Sequence, residues 1–139
     1  MLTARREIQI EWGDCDPAGI VFYPRYFAWF DACTGGLFAH AGLPKHEMLK
    51  TYGIVGIPMV DTRATFIVPS KFGDVVTVMT RITAFRRSSF DVEHKLLKGE
   101  VLAIEAFETR VWVGRHPDDP DGIKAQPIPE DVIARFKLG

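Results

Sequence analysis

Apolar and polar residues change rhythm twice along this chain. From Arg5 to Trp12 they alternate, Ile8 and Ile10 against Gln9 and Glu11, which predicts a short half-buried strand. Gly13-Asp14-Cys15-Asp16-Pro17-Ala18-Gly19 interrupts it, and that Gly, Asp and Pro content marks a loop with special backbone demands. Pro24 then suits the first position of a helix, since its fixed φ matches and its missing N–H would have no partner there. Tyr26, Trp29, Phe30, Cys33 and Leu37 recur at i, i+3, i+4, i+7 and i+11, one apolar stripe. Ala28, Ala32, Gly35, Gly36 and Ala39 make much of the remainder small. A helix that is apolar or small nearly all round is expected to be buried. Glycine costs a helix about 1 kcal/mol relative to alanine, so Gly35 and Gly36 imply that something approaches it closely. Gly42 ends the helix, and Lys45 to Tyr52 predicts a short second one.

The period then becomes two. Val55–Pro69, Asp74–Phe85, Ser89–Leu97 and Val101–Val113 are rich in Val, Ile, Thr and Phe and read as four long strands. Short connections at Ser70–Gly73, Arg86–Ser88 and Lys98–Glu100 predict an antiparallel meander, because parallel pairing needs a long crossover. His116–Gly122, with its prolines and aspartates, reads as an exposed loop, and Pro129–Lys137 as a closing helix. The expected fold is α+β: a strand, a long buried helix, then a sheet. A sheet wrapped round that helix and paired with a second copy would cover both.

The 139 residues imply one domain, spanning 1–139, large enough for a core without a metal or disulfide staple. Seventeen Lys and Arg balance eighteen Asp and Glu, and the charges are dispersed, which argues against nucleic acid as a partner. No apolar run approaches the ~20 residues of a membrane span, and Met1–Arg6 lacks the apolar centre of a secretory signal. With only Cys15 and Cys33, reduced thiols in a cytoplasmic protein are expected. His40, His46, His94 and His116 show no metal-ligand spacing. His94 shares its strand's apolar side and is expected to be a packed, hydrogen-bonded core residue. No phosphate-binding glycine loop and no cofactor motif is present, so neither a metal nor a cofactor is expected.

Candidate chemistry concentrates between Asp14 and Pro24. Two carboxylates precede a helix start, whose unpaired N–H groups and partial positive charge can stabilise an oxyanion. Each such donor is worth about 3–4 kcal/mol where it has been measured. Pro24 removes one N–H, leaving those of Tyr23, Arg25 and Tyr26 as candidate donors. A carboxylate beside such a donor can attack a carbonyl carbon or deprotonate a water that does. Alternatively, Asp14 and Asp16 are loop residues that cap their own turn. Cys15 has no evident base and is the weaker nucleophile.

The run from Glu11 through Gly13-Asp14-Cys15-Asp16-Pro17-Ala18-Gly19-Ile20-Val21 to Pro24, with Trp29 and Asp31, resembles the 4-hydroxybenzoyl-CoA thioesterase family of the hotdog superfamily. Gly53-Ile54-Val55-Gly56, Pro58 and Arg86-Arg87 continue the likeness over nearly the whole chain. The resemblance implies a hotdog fold, a long central helix wrapped by an antiparallel sheet of about five strands. It implies a homodimer with a continuous sheet, paired again into a homotetramer, and hydrolysis of an acyl-CoA to free acid and CoA. By resemblance Asp16 is the catalytic nucleophile or general base, and the Tyr23 amide polarises the thioester carbonyl. Asp31 matches an acidic residue that could recognise a ring hydroxyl; an interface or capping hydrogen bond is the alternative. Coenzyme A phosphates call for cations, which Arg86 and Arg87 supply as bidentate forks. Relatives tend to carry a third cation where this chain has Ser88; a solvated basic turn is the alternative for all three. A short- or medium-chain aliphatic acyl-CoA thioesterase and a non-catalytic acyl-binding dimer are the competing functions. Arg25 to Gly42 contains no Glu, which disfavours the mechanism that places a catalytic glutamate on the helix.

Overall fold

The structure, a computed structural model, describes residues 1–137; the last two residues of the expected 1–139 domain lie outside the described ones. In chain order it has β1 (Thr3–Gln9), α1 (Pro24–His40), α2 (Lys45–Tyr52), β2 (Met59–Phe66), β3 (Val75–Phe85), β4 (Ser89–Lys98), β5 (Val101–Val111), β6 (Val113–His116), β7 (Asp119–Ala125) and α3 (Glu130–Phe136). Five strands form one antiparallel sheet in the order β1-β3-β4-β5-β2, and α1 packs across its inner face. This is the helix-in-sheet arrangement that the resemblance implies. Both predicted helix starts at proline hold: α1 opens on Pro24 and α3 follows Pro129.

Three expectations require correction. The strands after the helices do not form a four-strand meander. Only β3, β4 and β5 do; β2 lies on the far edge against β5, while β1 takes the free edge of β3. The expected Ser70–Gly73 connection is short for a crossover, and even the full span from Phe66 to Val75 is modest. Extended chain covers about 3.3 Å per residue, however, and three strand spacings amount to only about 15 Å. His116–Gly122 is not a loop but most of a β6–β7 hairpin, turning at Pro117–Asp118; this two-stranded ladder accommodates Pro120 and the aspartates. The helix is not buried all round. Tyr26, Phe30, Cys33, Leu37 and Phe38 are buried, whereas Ala28, Ala32, Gly36 and Ala39 face outward, and among the described residues nothing outside the helix's own backbone comes within 4 Å of a Cβ placed at Gly35 or Gly36.

The core falls into two apolar clusters under the helix. One gathers Leu37, Phe38, Ile82, Phe90, Val92, Trp112 and Phe136; the other gathers Ile10, Tyr26, Phe30, Val76, Val78, Leu96 and Ile104. Between them, on the same inward faces, runs a buried polar belt of Thr34, Thr80, His94, Glu108 and Arg110. Phe38 meets Phe90 and Phe136 with ring centroids 5.6 and 4.8 Å apart. Truncation by Phe38→Ala should therefore cost about 3–5 kcal/mol in denaturant unfolding. Lys50→Ala on the exposed side of α2 should change stability by less than about 0.5 kcal/mol.

Candidate active site

The chain between β1 and α1 is a small closed loop. Cys15 and Val21 bridge across it, the Asp16 N–H donates to the Ile20 carbonyl at 2.9 Å, and the Gly19 N–H donates back to the Asp16 carbonyl at 2.9 Å. Gly19 closes the turn at φ +83°, a left-handed conformation that favours glycine. Asp16 Oδ1 accepts the Ala18 N–H at 2.9 Å, leaving Oδ2 without a partner among the described residues. The half-buried Asp16 carboxylate thus caps its own turn and still presents an oxygen for chemistry. Asp14 serves the loop instead: its Oδ2 accepts the Glu11 N–H at 2.9 Å, and its carbonyl accepts the Phe22 N–H at 2.8 Å. The Cys15 thiol sits 3.7 Å from the Glu11 carbonyl and is a free cysteine, as is the buried Cys33. Burial pushes the Cys33 thiol up from its usual range.

The three candidate donors at the helix start separate cleanly. Arg25 gives its N–H to the Phe22 carbonyl at 2.9 Å and Tyr26 gives its own to the Tyr23 carbonyl at 3.1 Å. The Tyr23 N–H finds no acceptor among the described residues. Beside it opens an apolar cleft of about 180 Å³ walled by Ile20, Val21, Tyr23, Tyr26 and Phe66–Pro69. The loop that carries Asp16 therefore supplies one wall of this cleft, and the helix start supplies another. A cleft of this size is smaller than ligand sites generally are.

Tyr23, Phe27 and Asp31 follow at i, i+4 and i+8 on one side of α1, a run of about 12 Å at 1.5 Å per residue. The Asp31 side chain is 64% exposed and is held by Arg110, whose Nη2 donates to Oδ1 at 2.7 Å. Both line a second cleft of about 370 Å³ with Lys45, Ile57, Pro58 and Met59. Arg86, Arg87 and Ser88 lie in the β3–β4 turn, at the other end of β3 from the Asp16 loop. Ten strand steps put roughly 33 Å between those ends. The Arg86 guanidinium is forked onto Asp91 at 3.0 and 2.6 Å and gives its Nε–H to Ser89 Oγ at 2.8 Å. Two of its five N–H groups remain. The Asp91 carboxyl is in turn held below its usual range by Arg86. Arg87 is exposed, and its side chain makes no hydrogen bond with the described residues.

Sequence reasoning missed Glu108 and Arg110, both buried on the inner face of β5. Their signal was present: they continue the inward alternation of Ile104 and Ala106. Glu108 Oε1 accepts from Thr34 at 2.7 Å and from Arg110 Nε at 3.0 Å, and Oε2 lies 3.4 Å from His94 Nε2. His94 Nδ1 meets the Thr80 hydroxyl at 2.8 Å and its ring stacks on Phe30, so the expected core histidine is present. Burial alone would raise the Glu108 pKa, but donors from His94, Arg110 and Thr34 prevail and hold it at about 2. No group of residues able to hold a metal occurs among the described residues.

A family model described as "Thioesterase-like superfamily" matches residues 10–136. Across 131 residues the chain is 38% identical to the 4-hydroxybenzoyl-CoA thioesterase of Pseudomonas sp. (strain CBS-3), covering 90% of this chain and 91% of that protein. A crystal structure of an Asp-to-Asn mutant of 4-hydroxybenzoyl CoA thioesterase, complexed with 4-hydroxybenzoyl CoA, superimposes with a TM-score of 0.88 at 34% identity, over 96% of this chain and 98% of that one. A gentisyl-coenzyme A thioesterase superimposes with a TM-score of 0.81 at 30% identity, over 96% and 99% of the two chains.

The Glu108 carboxyl titrates near 4.5 when unfolded and near 2 when folded. Its contribution is therefore complete above pH 4.5 and is lost as pH falls through 2, a difference of about 3 kcal/mol. Denaturant unfolding between about pH 6 and about pH 3 should show about two-thirds of this loss. Glu108→Gln should flatten that part of the profile while lowering stability at neutral pH.

Proposed function

The chain belongs to the 4-hydroxybenzoyl-CoA thioesterase family of the thioesterase-like superfamily and is an acyl-CoA thioesterase with the hotdog fold; from this we propose that its substrate is an aromatic acyl-CoA such as 4-hydroxybenzoyl-CoA, hydrolysed with Asp16 as the acting carboxylate. The observation that carries the proposal is the unclaimed Tyr23 N–H at the start of α1, beside the loop that presents Asp16 Oδ2. That N–H takes the thioester oxygen as it gains charge. Asp16 then either attacks the carbonyl carbon or removes a proton from the water that does. In the first route CoA leaves as thiolate, an acyl–Asp16 anhydride forms, and water hydrolyses it to acid and free carboxylate. In the second, water adds directly and the CoA thiolate leaves after the proton has passed to Asp16. An aromatic acyl group is supported by the named aroyl-CoA relatives and by the Tyr23–Phe27–Asp31 face, which gives a ring a path from the amide to a carboxylate.

The CoA phosphates fall to Arg86, Arg87 and Ser88, with Arg87 as the freer fork because Asp91 holds Arg86. The turn lies farther from Asp16 of its own chain than a pantetheine arm reaches, so the cations serving one Asp16 come from a second copy. The exposed β2 edge, with Val60 outward on it and Ile67 just after it, and the small outer face of α1 suit a two-fold partner. Such pairing runs the two α1 helices antiparallel and brings the turn of one copy towards the Asp16 loop of the other. It also closes the 180 Å³ cleft. A homodimer, paired again into a homotetramer, completes the reading. The chain needs no cofactor, and its free thiols accord with a cytoplasmic setting. No helix of the described residues is long and apolar enough to cross a membrane.

Release of free CoA thiol from 4-hydroxybenzoyl-, benzoyl-, phenylacetyl- and hexanoyl-CoA tests this directly. The wild type should prefer the hydroxylated aroyl ester, and Asp16→Asn should lower kcat by about 100-fold or more. Undiminished turnover in Asp16→Asn removes the carboxylate from the chemistry. A preference for hexanoyl-CoA replaces the aroyl reading with an aliphatic one, and no release from any ester would leave an acyl-binding protein.

A further inference from the structure

Arg110 makes three hydrogen bonds in three directions. Nε donates to Glu108 Oε1 at 3.0 Å, Nη1 to the Ile57 carbonyl at 3.1 Å, and Nη2 to Asp31 Oδ1 at 2.7 Å. Its planar fork is nearly enclosed, with 5% of the side chain exposed, whereas the carboxylate it grips is 64% exposed. The core does not need that third bond. Glu108 and Arg110 already neutralise one another, and Thr34 and His94 serve the remaining lone pairs of Glu108. An ion pair to a carboxylate as exposed as Asp31 adds about 0–1 kcal/mol to stability. Its consequence is geometric: it fixes one rotamer of a side chain on an open helix face and occupies one of its two oxygens.

We propose that Arg110, anchored by Glu108 and the Ile57 carbonyl, is a positioning residue that aims Asp31 Oδ2 at a hydroxyl on the far side of the acyl ring, so that selectivity for a hydroxylated over a plain aroyl group depends on Arg110 as well as on Asp31. This rests on the reading of Asp31 as the ring-recognising carboxylate. The cleft around the pair fits the role. Ile57, Pro58 and Met59 give it apolar walls for a ring, and Asp31 is the acceptor there. An oriented, ionised carboxylate accepts from a phenol more strongly than a neutral acceptor does. A ring without the hydroxyl leaves that carboxylate unpaired and is discriminated against for that reason. Glu108 contributes at one remove, by holding the fork that holds Asp31.

The test is the ratio of kcat/KM for 4-hydroxybenzoyl-CoA to that for benzoyl-CoA. Arg110→Lys keeps the charge that neutralises Glu108 but cannot reach three acceptors in one plane. It should lower the ratio by about tenfold, with the larger loss on the hydroxylated ester. Asp31→Asn should lower it similarly, and adding Arg110→Lys to Asp31→Asn should lower it no further, since both act on one contact. Should Arg110→Lys fail to fold, the pair Glu108→Gln with Arg110→Met removes both buried charges together and is expected to lose selectivity in the same way. A ratio that falls in Asp31→Asn but holds in the folded Arg110 variant overturns the positioning role alone. Equal loss on both esters, or additive loss in the double variant, overturns it too. A ratio untouched by Asp31→Asn removes the reading of Asp31 and this proposal with it.

Discussion

A carboxylate buried in the middle of the core sets the terms for the rest of this structure. An unpaired charge there would cost several kcal/mol, so both oxygens of Glu108 must be met, and the groups that meet them or hold those groups in place come from four elements. Thr34 reaches down from α1, Arg110 lies two residues along β5, His94 comes from β4, and Thr80 on β3 fixes the far side of the His94 ring. A one-residue slip of any of these strands would turn its contributor to the outer face. The apolar clusters on either side would tolerate exchanges of similar volume, but the belt between them does not. It pins the register of three strands and the rotation of the helix at once.

That constraint explains what the sequence disclosed and what it hid. Alternation located β1, β3, β4 and β5 because it reports which face each residue takes. It does not report which strand lies beside which, and β2 was accordingly assigned to the wrong neighbour. The long helix was legible from Tyr26, Phe30, Cys33 and Leu37, but its open face was not, because Ala28, Ala32 and Gly36 read the same whether a helix is enclosed within one chain or covered by another. His94 could be assigned to the core from its position alone. Glu108 and Arg110 could be seen to face inward, yet their function as a belt depends on Thr34, which is 74 residues from Glu108 in the chain. Pattern gives orientation; long-range partners need the fold.

The β2–β3 crossover also supports the Asp16 loop. Between β2 and β3, Ile67 and Val68 still donate to the Ala103 carbonyl on β5, and the chain then passes beneath the loop. The Ser70 carbonyl accepts the Val21 N–H at 2.9 Å, Lys71 bridges Ile20, and Asp74 accepts the Ile10 N–H at 2.8 Å. Asp74 is itself held at 3.0 Å by Lys98 on β4. The Asp16 loop is therefore tied to the sheet on both of its arms. Short motifs can identify such a loop, since Gly19 and Pro24 carry local backbone demands. What makes it stiff lies some fifty residues away in the chain.

The candidate site residues spread from the start of α1 to its middle and on to the β3–β4 turn, and this spread joins chemistry to assembly. Asp16 and the Tyr23 amide stand at the N-terminal end of α1, in a stretch of chain that Ser70 and Lys71 tie to the sheet. Asp31 lies about 12 Å along the helix, and the Arg86-Arg87 turn beyond it faces the opposite end of the sheet. A single copy thus holds the Asp16 loop and the Tyr23 amide beside a cleft of about 180 Å³, too small for a ring and its pantetheine arm together. Nothing in the core demands that incompleteness, because the belt and both apolar clusters close within one chain. Under the proposed pairing, the open β2 edge and the small outer face of α1 become parts of the site rather than unfinished parts of the fold. A second copy joined at that edge would supply the missing wall and the distant cations through one two-fold operation.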